Sequence, residues 1–272
     1  MIEPEPVNLR AAWRDLKQNR RPLVVLALSA VVLAVVEYLF LAGAFAKLFP
    51  VEARQYAPGV VYGNWANVPA GREAPWWGVL APWAWWVGGV TLLWVVVPAL
   101  VAKRMKFGLP DLGLRVKGVL PKLWIYGVLY LIVLVGVLWA STRENFTQMY
   151  PMLKPWYCEK WCWAVLLSWW ALYALQFFAV EFFFRGFMLF TLEKDFGTAA
   201  IAVMIVPYCM IHFHKPLPEA LGAIVAGVVL GWLALRTRSI WGGWLLHCAI
   251  AITMDVASLL KGDYGLPQQI WP

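Results

Sequence analysis

Glu181 and Arg185 stand four residues apart in VEFFFRG (180–186), inside a long apolar run. On a helix that spacing puts both on one face, where they can pair. Tyr208 and His212 repeat the spacing in YCMIH (208–212), and His247, Ala251 and Asp255 continue it at i, i+4 and i+8. A carboxylate, a guanidinium and imidazoles gathered inside a membrane can pair with one another and exchange protons with a bound water. Arg185 can pair with Glu181 and keep it ionised, and the Tyr208 phenol can orient His212. His214, Ala251 and Asp255 flank the site. The sequence around Glu37 names no role for it beyond a structural or cavity-lining one.

Each residue also has a plainer use. An i,i+4 ion pair can serve only to let a polar helix face pack, and a membrane histidine often bridges two helices. His214, followed by Lys215 and Pro216, reads as interfacial. One Glu with two His is also a possible zinc set. No H-E-x-x-H run is present, so no cofactor or metal is expected, with zinc as the minority alternative.

These residues must be positioned by membrane helices. Of the 272 residues, 62% are hydrophobic and 14% charged, more apolar surface than a soluble domain of this length can bury. The 19 Trp suit a membrane–water interface. The fold class is therefore an all-α, polytopic transmembrane bundle. A span needs about 20 helical residues. Seven are expected, near 22–46, 77–102, 123–140, 163–190, 198–213, 219–236 and 240–260. The expected organisation is an N-terminal segment (1–21), N-terminal helices and loops (22–162), a catalytic helical core (163–260) and a tail (261–272). Counted at about 1.5 Å per residue from one end, Glu181, His247 and His212 fall about 13, 11 and 21 Å deep. They can meet if their helices are neighbours.

The net charge of +8 comes largely from loops: Arg10, Arg14, Lys17, Arg20 and Arg21 before the first span, and Lys103 to Lys122 after the second. Both belong in the cytoplasm by the positive-inside rule, which puts the N-terminus inside a multi-pass cell-membrane protein. No basic stripe indicates nucleic acid. The 22–46 run is too long for a signal-peptide core and reads as a retained anchor. Cys158 and Cys162 lie in a loop expected outside, as a disulfide or as two thiols; Cys209 and Cys248 read as packing residues. Ala223, Gly227 and Gly231 form a small-residue register for close helix packing.

VEFFFRG, YCMIH and HCAIA (247–251), in that order, resemble the motifs of the CAAX protease and bacteriocin-processing family of intramembrane glutamate endopeptidases. That family shows Glu-Glu-x-x-x-Arg, aromatic-x-x-x-His and His-x-x-x-Asn in successive late helices. RTRSIWGGWLLH (236–247) also resembles its approach to the last motif, and the likeness runs over about 165–257. HFHKPLPE (212–219) is similar to a bacterial branch containing sorting-type proteases. The resemblance implies an endopeptidase acting on a membrane-associated protein or peptide within the lipid bilayer, with Glu181 and His212 activating a water and His247 donating to the oxyanion. A prenylated CAAX tail, a C-terminal sorting anchor and a leader peptide are all open as substrates. Two positions depart from the pattern: Val180 stands where the family has its first Glu, generally assigned as the base, and Ala251 stands where it has Asn. These departures keep two alternatives open, an inactive member serving as a binding or immunity partner and a small proton-coupled transporter.

Overall fold

The computed structural model describes residues 19–40, 75–155, 158–213, 215, 217–262 and 265–271. Residues 41–46 of the first expected span, the 47–74 stretch and His214 lie outside the described residues.

Apolar runs long enough to satisfy all their backbone groups internally form helices, as lipid requires. Among the described residues six helical stretches are long and apolar enough to cross a membrane. These include α1 (Arg20–Phe40) and α2 (Trp76–Arg104). Next come α3 (Leu123–Ala140) and a short α4 (Glu144–Met149). The fourth and fifth expected spans fall in one stretch, Trp163–Met210. It consists of α5 (Trp163–Glu181), a π-wound segment (Phe182–Leu189), α6 (Phe190–Phe196), a tight turn and α7 (Ala200–Met210). Gly197 makes the turn with φ +56°, a conformation that costs glycine little. The helices α8 (Leu217–Thr237) and α9 (Trp241–Lys261) complete the set. The protein is thus an all-helical, multi-pass membrane protein.

Charge sorts the two ends. At the basic end Arg21 pairs with Asp195 at 2.8 Å, Arg238 pairs with Glu193, and Lys122 donates to the Arg236 carbonyl at 3.0 Å. At the far end Lys261 donates to Ser141 at 2.8 Å, and Ser258 donates to the Tyr150 carbonyl. There the first N–H groups of α5, which have no partner in their own helix, are capped from the tail: Trp163 and Ala164 donate to Gln269 and Ile270, each at 3.0 Å. Cys158 and Cys162 are both buried free thiols.

The core lies between α2, α5 and the π-wound segment. Trp83 packs on Trp169 at 4.5 Å between centroids, and Trp94 stacks on Phe183 at 5.5 Å. The other face of α5 meets α9, and α9 also packs on α3. α7 runs back along α8, where Gly227 and Gly231 admit Ile201, Met204, Ile205 and Tyr208. At 11 residues α7 rises only about 16 Å, roughly half of a hydrocarbon core. Its C-terminus therefore stops partway through the bundle, and the irregular backbone beyond it carries His212.

Candidate active site

Glu181 is the last residue of α5, where α-winding gives way to π-winding, a change often found at functional sites. It is 1% exposed and Arg185 is fully buried. Glu181 Oε1 lies 3.1 Å from Arg185 Nη1 and 3.0 Å from His247 Nδ1. Both approaches are at hydrogen-bond distance but are not aligned as hydrogen bonds. The other carboxylate oxygen faces Gly243 of α9, where a Cβ would overlap it. Its neighbour Gly242 likewise makes room for the ring of Tyr126 from α3. The Gly-Gly step in WGGW is what lets α9 close on both helices.

His247 stacks on Phe177, with centroids 5.2 Å apart and planes 4° from parallel. With Nδ1 toward Glu181, its Nε2 lies 3.3 Å from the Tyr208 hydroxyl. Arg185 sits over the Tyr208 ring, with Cζ 4.0 Å from the centroid. His212 Nδ1 is 2.8 Å from the Tyr208 carbonyl. A carbonyl only accepts, so Nδ1 carries the proton there and Nε2 keeps its lone pair. One path of contacts therefore runs Arg185–Glu181–His247–Tyr208–His212.

A cavity of about 1320 Å³ adjoins this path. Its wall includes Tyr208, His212, His247 and Ala251, and Glu37 and Glu219 also reach it. Val180 lines the cavity; Glu181 does not. The carboxylate expected at the water thus stands one side chain back, behind His247, and its cavity-facing neighbour is apolar. Tyr208, expected to orient His212 through its phenol, holds His212 Nδ1 with its backbone carbonyl, while its hydroxyl lies against His247 Nε2.

Asp255 differs most from expectation. It is fully buried and outside the cavity wall, accepting from Trp169 Nε1 at 2.9 Å and Trp170 Nε1 at 3.2 Å. Lys154 and the Met152 backbone amide also act on it. An eight-residue step turns a helix by about 80° past full turns, so i+8 leaves the face that i and i+4 share. Asp255 anchors the far-end loop and takes no part in the site. Among the described residues no group of three His, Cys, Asp or Glu is gathered as a metal site would need.

The sequence reading missed Gly243, Gln176 and the inward turn of Val180. Gln176 had a signal, as the amide-bearing residue of an otherwise apolar helix run. The WGGW step had a signal too, because small residues let membrane helices approach.

Residues 161–253 fit the family model described as Type II CAAX prenyl endopeptidase Rce1-like. Glu181, Arg185, Tyr208, His212 and His247 all lie inside that stretch. No curated protein and no solved structure matches the chain.

Proposed function

We propose that the chain, whose residues 161–253 match the Rce1-like CAAX prenyl endopeptidase model, is an intramembrane endopeptidase cutting a membrane-associated peptide held in the cavity. The observation that carries this is the convergence of His212, Tyr208 and His247 on one cavity wall, with Glu181 backing His247 at 3.0 Å.

In this reading His212 is the base. Its Nδ1–H is held by the Tyr208 carbonyl, so Nε2 takes the proton from water as that water attacks the scissile carbonyl. His247 donates from Nε2 to the resulting oxyanion, with Glu181 backing the ring at Nδ1. The amide nitrogen then leaves with the proton held by His212. Glu181 and Arg185 are positioning residues, acting through His247 and Tyr208. The scheme calls on no metal. The basic end, by its lysines and arginines, faces the cytoplasm.

A second reading has its own observation: Val180 and Ala251 put two apolar side chains on the wall where the family's motifs carry Glu and Asn. It is a member that holds a peptide without cutting it. The two part on one experiment. Full-length protein in lipid nanodiscs is incubated with membrane-anchored peptides, and products are read by mass spectrometry beside His212→Ala. Cleavage by wild type and none by the variant supports the endopeptidase. Peptide binding with no product favours the silent member.

A further inference from the structure

Gln176 lies one turn before Val180 on α5 and shares the cavity-facing side with Tyr173 and Val180. It is 8% exposed, and among the described residues nothing hydrogen-bonds its Oε1. A buried carboxamide oxygen left unpaired within an apolar bundle is destabilising, and native interiors rarely keep one without a use. Phe177, the next residue, is stacked on His247, which fixes the height of Gln176 close to the imidazole.

A carboxamide carries a donor and an acceptor side by side. This is the complement of one peptide unit, with its carbonyl and N–H. No ionic ligand is needed to satisfy it, and an apolar cavity is where such a pair gains most from being made. Resting on the peptide reading of the cavity, we propose that Gln176 is a main-chain clamp: its Nε2–H donates to a carbonyl of the bound peptide, and its Oε1 accepts an N–H. It would hold any sequence, leaving side-chain choice to the surrounding aromatic and aliphatic wall.

The test is peptide binding to full-length protein in lipid nanodiscs, read by fluorescence anisotropy. The probe is a fluorescein-labelled, end-blocked decapeptide of Leu and Ala, with empty nanodiscs subtracted. Gln176→Leu should weaken binding at least tenfold and leave the melting temperature unchanged or higher, because no protein partner of Oε1 is lost. The matching depsipeptide, with esters for amides, keeps its carbonyls but loses the N–H groups that Oε1 accepts, so the gap between wild type and the variant should narrow. Equal peptide affinity of the two proteins overturns the proposal. So does a melting temperature that falls with the affinity, which marks a structural role, and so does absence of probe binding by wild type. Binding without cleavage would sink the endopeptidase reading and leave the clamp standing.

Discussion

Glu181 Oε1 lies 3.0 Å from His247 Nδ1, and the carboxylate is thereby kept off the cavity that the imidazole faces. A carboxylate so placed sets which ring nitrogen carries the proton and steadies the ring when both do. Glu181→Gln keeps the shape and can turn its amide N–H toward Nδ1, favouring the wrong tautomer. We expect kcat to fall at least ~10²-fold with KM little changed, since the lost contribution is to the oxyanion. Steady-state kinetics in nanodiscs checks it; a variant as fast as wild type removes Glu181 from the mechanism.

Gly243 is held to glycine by the same carboxylate, because a methyl at its Cβ overlaps Glu181. Overpacking of this kind typically costs about 1–3 kcal/mol. Gly243→Ala should lower the melting temperature and cut activity together, by pushing α9 and His247 away from α5. Gly127→Ala on α3, with nothing within 4 Å of its Cβ, is the control and should be neutral or mildly stabilising. Equal melting of the two variants would contradict the packing account.

The long-range parts of the site were legible because membrane charges are costly. Glu181, Arg185, His212 and His247 stood out in an apolar sequence, and the structure gathers them. Spans were legible from length and hydropathy. Two things were not. Whether 180 or 181 faces the cavity depends on rotation about α5 and on the π-wound segment that follows, and apolar neighbours on all sides leave no periodic signal to fix that rotation. Asp255 read as part of the His247 stripe because i+8 looks like a continuation in sequence, while the Trp169 and Trp170 indoles that claim it lie more than eighty residues earlier.

Val180 marks where a cavity carboxylate is missing, so restoring it is informative. In Val180→Glu the new side chain reaches the cavity directly and can accept the proton of water. General-base catalysis contributes ~10²–10⁴-fold, and we expect turnover to rise by at least ~10-fold, further with Ala251→Asn in the same protein. The carboxylate costs about 2.5–3.5 kcal/mol on insertion scales, so the melting temperature should fall as the rate climbs. An unchanged rate in a folded double variant would show that water activation is not limited at this wall.

Lys154 gives the far end a pH signature. It is buried in the loop that Asp255 anchors, and burial holds its ammonium down from 10.5 to about 8, with Asp255 partly opposing. The folded protein then releases this proton before the unfolded chain does. Between those values the unfolded state binds more protons, so stability rises with pH; below about 8 the cost of the buried charge is present in full. Cys158, pushed up from 9.0 to about 12 by burial, works in the opposite direction above pH 9. The clean window is therefore pH 8 to 9, where wild type should gain on the order of 1 kcal/mol relative to Lys154→Met. Melting both proteins in nanodiscs at pH 7.5, 8, 8.5 and 9 reads the difference directly. A gap that stays constant across the four would mean that Lys154 meets water in the folded protein and that the far-end loop is not packed as described.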